Sequence, residues 1–275
     1  MIAAGRKTVL FSCAVLAALI LASAAAPMIV PWDPNEIDLS LKFAAPGNGH
    51  VLGCDHLGRD VFARLLYGAR ISLGATALIL LTVLVLGFSV GAAAGYCGGA
   101  VDSLLMRVCD VFLTFPTFIL AMFMVGVLGT GMTNVIIAIS LTHWAWYARI
   151  VRSMVLALRA RGYVTASRVA GSSHWKILVR HIAPSVLAQL AILMTMDIGH
   201  MMLHVSGLSF LGLGVVPPAS EWGVIIADAR NYIWSRPELI LYPGVMIFVT
   251  VMVCNLLGDS LRDYLDPALT GEDRA

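Results

Sequence analysis

Long uncharged runs alternate with short charged segments along most of this sequence. The run 111–148 is too long for one membrane crossing, and the glycines and polar residues of 126–134 predict a turn near its middle. Each run is long enough to cross a bilayer, because roughly 20 apolar helical residues span the hydrocarbon core. We therefore predict an all-α polytopic membrane protein with six transmembrane helices. The runs are 8–32, 71–101, 111–148, 182–220 (interrupted only by Asp197) and 239–258.

Composition and charge agree with this class of protein. Hydrophobic residues make up 59% of the 275 residues and charged residues only 12%, which is far more apolar than a soluble domain requires. With the amino terminus placed in the cytoplasm, twelve of the 18 Lys and Arg residues fall in cytoplasmic segments. This bias predicts that both termini are cytoplasmic. The formal net charge of +2 follows from the same bias and gives no indication of a nucleic-acid partner.

The first apolar run has a second interpretation as a signal peptide. Arg6 and Lys7 precede it, and ASAAA at 22–26 is similar to a signal-peptidase site. The run is longer than an ordinary signal-peptide core, which favours its retention as the first transmembrane helix.

The first long connection, 31–70, lies on the outer side and leads into the sequence LGCDHLGRDVFARLLYGARISLG at 52–74. From Asp60 onward the apolar spacing predicts an interfacial helix that feeds the second span, with Asp60 placed to pair with Arg64 one turn later. We accordingly divide the chain into residues 1–70, which hold the first transmembrane helix and this loop, and a five-helix core.

That core, 71–275, contains a cytoplasmic connection at 149–187 with seven cations. The centre of the connection, YVTASRVAG, predicts a short helix of small residues that Gly171 can end in a left-handed conformation. A basic, protruding helix of this kind suits docking to another protein. The alternative is a solvated linker held near lipid head groups.

The third long connection, 206–238, lies on the outer side and contains four glycines and an adjacent pair of prolines. Such a segment favours irregular or re-entrant backbone at the mouth of a pathway, where protein can satisfy its polar groups.

Two of these connections resemble signatures of one family, and the resemblance extends over nearly the whole chain. LGCDHLGRDVFARLLYGARISL is similar to the amino-terminal signature of the second permease subunit of dipeptide, oligopeptide and nickel ABC importers. YVTASRVAGSSHWKILVRHIAP is similar to the family's cytoplasmic loop, whose pattern is Glu-Ala-Ala, three residues, Gly, then a hydrophobic stretch ending in Leu-Pro. The outer signature residues are Gly53, Asp55, Gly58, Arg59, Asp60 and Arg64.

The resemblance implies that the cytoplasmic loop docks an ATPase through five positions. Ala166, Gly171 and Pro184 match the family pattern, whereas Thr165 stands in place of the glutamate and Ser167 in place of the second alanine. These replacements remove a charge and leave the shape of a docking helix intact.

The same resemblance implies a heteromeric importer in the bacterial inner membrane, in contact with lipid. This chain would pair with a second homologous permease subunit, two cytoplasmic ATPases and an extracytoplasmic solute-binding protein. The sequence contains no Walker glycine-lysine loop, so we expect ATP and Mg²⁺ to bind the partner ATPases and this subunit to bind no cofactor and catalyse no reaction.

Asp197, His200 and His204 place an acid and two imidazoles at i, i+3 and i+7 of an apolar run, along one helical face. An ionisable group in the membrane is costly and should face a protein interior or a water path. Because imidazole suits nickel, copper and zinc, these residues are candidates for transient metal contacts, together with His143 near the inner end of span four. The alternatives are a hydrogen-bonded packing network for the first three residues and a helix-end cap with Arg149 for His143.

The stretches 124–153 and 197–214 resemble nickel-import permeases in particular, which implies a nickel ion or a small nickel chelate as substrate. Import of dipeptides or oligopeptides is the alternative. An intramembrane enzyme is disfavoured because the sequence has neither an H-E-x-x-H pair nor a G-x-S-x-G nucleophile turn. A secondary transporter is disfavoured because no inverted repeat of broken helices is seen.

Overall fold

The computed structural model describes residues 2–265, with side chains described for 7–263. This part of the chain is helical and contains no β-strand, which confirms the all-α class. The end of the predicted five-helix core, 266–275, lies outside the described residues. The helices are α1 (Ile2–Ala24), α2 (Ala26–Ile29), α3 (Val61–Cys97), α4 (Gly99–Thr114), α5 (Thr117–Leu128), α6 (Met132–Arg159), α7 (Gly162–Val169), α8 (His174–Ile177), α9 (Ala183–Phe210), α10 (Trp222–Ala229) and α11 (Glu238–Leu265).

Four helical stretches in the described residues are long and apolar enough to cross a membrane. α4 and α5 pass the same test only when they are taken together, and the angle between them is 87°. They therefore count as a fifth span only if such a bent pair crosses the membrane. α6 has 28 residues but carries polar side chains, with His143 near its middle and Arg149 in its second half. The count of six spans therefore stays a prediction that depends on the bent pair and on α6. The four stretches are Lys7–Ala24, Val61–Cys97, His174–Phe210 and Glu238–Asp263.

The run 111–148 differs from its predicted form at its beginning and agrees with it at its centre. A straight third span starting at Val111 is wrong, because α4 ends at Thr114. Phe115, held extended before Pro116, cannot continue the helix. The predicted turn is confirmed: Gly129 and Gly131 separate α5 from α6, both with positive φ.

α3 is one continuous helix of 37 residues, about 55 Å long at ~1.5 Å per residue. It is therefore longer than the hydrocarbon core. The helix predicted from Asp60 onward forms the first turns of α3 and is not a separate interfacial element. The division between residues 70 and 71 falls inside this helix.

The described chain forms two compact units, of which the first comprises residues up to 78, 125–136 and those from 195 onward. Its core surrounds Trp222, which is fully buried against Val61, Leu65 and Met202. The Trp222 indole N–H donates to the Leu65 carbonyl oxygen at 3.1 Å. This one side chain therefore joins α10 to α3 and α9.

The second unit comprises 79–124 and 137–194, and close packing of α3 on α6 organises it. Gly87, Gly91 and Gly95 recur every fourth residue on α3. A β-carbon at Gly91 would lie 2.4 Å from the Ala148 carbonyl oxygen, and one at Gly95 would lie 2.8 Å from that of Arg152. Small residues at this spacing let two membrane helices approach backbone to backbone. α3 and α6 consequently pack as a tight pair over this stretch.

The third connection is irregular only in part. α9 continues to Phe210, so the prediction of irregular backbone holds for the stretch after it, which includes a cis peptide bond between Pro217 and Pro218. α10 follows with most of its side chains buried. A β-carbon at Gly223 would lie 2.2 Å from the Ser206 carbonyl oxygen, so α10 packs directly on α9.

Candidate functional site

Four charged residues of the first unit form a group here called the outer cluster: buried Asp55, Arg59 and Arg64, and partly buried Asp228. Arg59 donates from Nε to Asp55 Oδ2 at 2.7 Å and from Nη2 to Asp228 Oδ2 at 2.8 Å. Arg64 Nη2 donates to the same Asp228 oxygen at 3.0 Å. The arginine side chains are only 2% and 1% exposed. Two carboxylates thus balance two buried guanidinium groups and tie the outer loop to α3 and α10.

The predicted pair between Asp60 and Arg64 is wrong. Asp60 Oδ1 accepts from the backbone N–H of Ala63 at 2.6 Å, and its Oδ2 lies 2.9 Å from His50 Nδ1. Asp60 precedes the first residue of α3, where unpaired backbone N–H groups attract a carboxylate. It therefore caps the helix, and Arg64 is left to the outer cluster.

The signature glycines permit close backbone approach within the outer loop. Gly53 and Gly58 have φ of +74° and +77°, in the left-handed region that favours glycine. A β-carbon at Gly58 would lie 1.7 Å from the Asp38 carbonyl oxygen, and one at Gly53 would lie 2.4 Å from that of Ala44. All six predicted signature residues therefore act in folding this loop, through either charge pairing, capping or backbone shape.

Burial also shifts the pKa values of two side chains in this loop, Cys54 and His56. Desolvation, with Asp60 and Asp55 nearby, raises the pKa of the Cys54 thiol to about 11. Desolvation also lowers the pKa of His56, whose ring stacks on Tyr232 with 5.3 Å between ring centres. At neutral pH both side chains are therefore held in their uncharged forms.

Sequence reasoning missed two acids: Glu221, which precedes and caps α10, and Asp228 within α10. Glu221 is fully buried: its Oε1 accepts from the Ser72 hydroxyl at 2.8 Å and from the Ser206 hydroxyl at 3.2 Å. Its Oε2 accepts from the backbone N–H of Val224 at 3.1 Å, which caps α10. The position of Glu221 just before an apolar segment was a usable capping signal. Asp228 had no local signal, because its partners lie 169 and 164 residues away.

The predicted metal face lies on α9 in the first unit. Asp197 is buried, with its Oδ1 3.4 Å from His200 Nδ1, while the His200 side chain is 74% exposed. His204 Nδ1 lies 2.7 Å from the backbone carbonyl oxygen of His200. Thus Asp197 and His200 meet, whereas His204 bonds its own helix. Among the described residues, no three His, Cys, Asp or Glu side chains are arranged to hold one metal ion.

His143 lies on α6 in the second unit. Its ring centre is 5.5 Å from that of Trp146 and 5.7 Å from that of Tyr147, so it belongs to an aromatic group. Arg149, the predicted partner for capping, forms an ion pair with Asp110 of α4.

The connection 149–187, predicted to be cytoplasmic, contains the predicted docking helix, α7. Gly171 follows it with φ of +82°, which confirms the left-handed ending. Thr165 and Ala166 are exposed on α7, Ser167 Oγ lies 3.2 Å from His181 Nε2, and Pro184 falls in the first turn of α9. A π-helical turn, Leu178–Ile182, joins α8 to α9, so Pro184 lies inside the continuous helical stretch His174–Phe210 and not at a free helix start.

Two large apolar side chains of this connection are exposed on its surface. Val169 at the end of α7 is 85% exposed, and Trp175 on α8 is 73% exposed. Ser173 accepts from the backbone N–H of Lys176 and so caps α8. A helical chain with several apolar helices long enough to cross a membrane belongs to the class of polytopic membrane proteins.

Comparison with known proteins agrees with this class. Residues 85–271 match the family described as "Binding-protein-dependent transport system inner membrane component", and residues 5–46 match the "N-terminal TM domain of oligopeptide transport permease C". The chain belongs to this family of inner-membrane permeases, and its role is transport rather than catalysis.

Several curated relatives align over nearly the full chain. The nickel transport system permease protein NikC of Escherichia coli is 54% identical over 267 residues, covering 97% of this chain and 96% of the relative. The glutathione transport system permease protein GsiD of Pectobacterium atrosepticum is 40% identical, covering 89% and 81%. The metal-staphylopine import system permease protein CntC of Staphylococcus aureus is 38% identical, covering 91% and 86%.

Proposed function

We propose that this chain is one permease subunit of an ATP-driven importer whose substrate is a nickel ion or a small nickel chelate. The observation that carries the proposal is the 54% identity to a nickel permease over 97% of the chain, against 38–40% for relatives named for glutathione and metal-staphylopine. Import of dipeptides or oligopeptides is the alternative, and the match of residues 5–46 to an oligopeptide permease segment favours it locally.

The proposed assembly contains a second homologous permease, two cytoplasmic ATPases and an extracytoplasmic solute-binding protein. ATP and Mg²⁺ belong to the ATPases. This subunit would cross the inner membrane six times with both termini in the cytoplasm. The bent α4–α5 pair and α6 would supply two of the crossings, since the 28 residues of α6 extend about 42 Å at ~1.5 Å per residue.

Docking of an ATPase is supported by the surface of the cytoplasmic connection. Thr165 has replaced the charged residue of the family pattern, so an ion pair at that position is not part of the proposal. The exposed side chains of Val169 and Trp175 offer apolar contact instead. Aromatic anchors of this kind contribute strongly when a partner's pocket excludes water from them. Closure of the ATPases would then push α7 and open the pathway alternately to the two sides.

The metal path is proposed to run along α9. Asp197 orients His200, whose exposed ring can offer a ligand to a passing ion, and His204 stands one turn further along. His143, near the middle of α6, would supply a separate contact. Successive weak contacts suit a transporter, because an ion held by a closed cage would not be released.

Replacing His200 and His204 together with alanine tests this path. Nickel uptake by the reconstituted importer should fall severalfold, while assembly and basal ATP hydrolysis remain as in the wild type. Leu203→Ala is the matched control, since Leu203 is also exposed on α9 and has no ligand atom. Undiminished nickel uptake in the double variant would contradict the path.

A further inference from the structure

We infer that Tyr96 and His174 form the link through which the docking connection moves the tight α3–α6 pair. Tyr96 Oη lies 2.9 Å from His174 Nδ1, and the two ring centres are 5.7 Å apart in an edge-on arrangement. Tyr96 stands in the last turn of α3 at the cytoplasmic end, and His174 is the first residue of α8. One side-chain contact thus joins a long span to the docking connection.

The docking side of this link is short and well ordered by hydrogen bonds. Gly171 follows the end of α7, and its N–H donates to the Arg168 carbonyl oxygen, while Ser172 N–H donates to that of Ser167. Ser173 caps α8, so His174 follows α7 by only a few residues. His181, further along, contacts Ser167 and the ring of Tyr163. A displacement of α7 should therefore move His174 as well, because the few residues between them are held by hydrogen bonds.

The span side is stiff because α3 and α6 cannot slide freely. Gly91 and Gly95 bring the two backbones into contact, as described above. Arg159, the last residue of α6, donates from Nη1 to the Tyr96 carbonyl oxygen at 2.6 Å and to that of Gly95 at 3.3 Å. A cation at these terminal carbonyls also stabilises the carboxyl end of α3. A pull on Tyr96 would move both helices together.

This inference rests on the proposed function, because it needs an ATPase that engages α7. Tyr96→Phe removes only the hydroxyl, and His174→Ala removes the partner. Tyr67→Phe is the matched control: it makes the same change near the opposite end of α3, where the ring lies 5.8 Å from the Arg70 guanidinium and keeps that contact as phenylalanine.

The test uses the assembled importer and follows maleimide labelling of Cys97, an exposed cysteine next to Tyr96, with peptide mapping to separate it from exposed Cys13. Binding of a non-hydrolysable ATP analogue should change the Cys97 labelling rate severalfold in the wild type and in Tyr67→Phe. The change should be lost in Tyr96→Phe and in His174→Ala. The double variant should be no worse than either single variant, because both remove the same interaction.

Nickel transported per ATP hydrolysed should fall in the same two variants while basal ATP hydrolysis is kept. An assembled complex in which the nucleotide leaves Cys97 labelling unchanged, or changes it equally in Tyr96→Phe, would overturn this inference alone. Additive losses in the double variant would also overturn it. Absence of any complex with an ATPase would contradict both this inference and the proposed function, and the labelling measurement itself needs no substrate.

Discussion

Replacing Asp228 with asparagine should destabilise the outer loop, although the side chain keeps its size. Its Oδ2 accepts from both Arg59 and Arg64, at 2.8 and 3.0 Å. The substitution removes one of the two carboxylates that balance these arginines. The second carboxylate, that of Asp55, is bonded to Arg59 and lies 3.7 Å from Arg64 Nε. Arg64 therefore loses its shortest ionic contact while remaining buried.

The size of the effect follows from the burial of the arginines. Removing one partner of a buried ion pair costs about 3–5 kcal/mol. The asparagine amide oxygen can still accept one hydrogen bond from a charged donor, which is worth about 1.5–3 kcal/mol. The Asp228 side chain is 23% exposed, so water offsets part of the loss. We expect a net destabilisation of about 2 kcal/mol.

Thermal unfolding in detergent, compared across variants, measures this change. Glu36→Gln is the control, because it removes one exposed negative charge from the same loop and should change stability by less than about 0.5 kcal/mol. Adding Arg64→Leu to Asp228→Asn restores the charge balance and should recover part of the loss. If Asp228→Asn is no more destabilising than Glu36→Gln, the ion pairs of the outer cluster do not stabilise this loop.

Three further results are expected. Burial lowers the pKa of His56, so near its ordinary pKa of about 6.5 the unfolded chain binds more protons than the folded chain, and stability should fall as pH drops through this value. His56→Gln should therefore flatten the dependence of the melting temperature on pH between about pH 5 and 8. An unchanged dependence would contradict the lowered pKa of His56. Gly171→Leu should strain the end of α7, because φ is +82°, and so lower nickel uptake per ATP hydrolysed; normal uptake would argue against the docking role. Gly91→Leu should force α3 from α6 and reduce the yield of folded protein, whereas Gly74→Leu, with no atom near its β-carbon, should be tolerated; equal yields would refute the close packing.

The features that the sequence predicted correctly depend on local signals. Hydropathy located the long apolar helices, and the glycines at 129 and 131 marked the turn before α6. Gly171 marked the end of the docking helix because left-handed backbone strongly favours glycine. In each case the determining residues lie within a few positions of the feature they determine.

The features that were missed or predicted wrongly depend on long-range contacts, or on changes in the direction of the helix axis, that a local sequence pattern does not reveal. Asp228 joins the outer cluster across more than half of the chain. The Asp60–Arg64 pair failed because helical spacing was applied to a residue that precedes the helix and caps it. The bend before Pro116 was missed because hydropathy measures apolar length and is insensitive to a change of axis. Whether Asp197, His200 and His204 line a path stays a prediction.

The most direct test of the proposed function is ATP-driven uptake by the reconstituted importer, with its binding protein, offered nickel, cobalt and a dipeptide in turn. Nickel should accumulate inside the vesicles, either as the free ion or with a small chelator such as histidine, and the dipeptide should accumulate little. Accumulation of the dipeptide without accumulation of nickel in either form would contradict it.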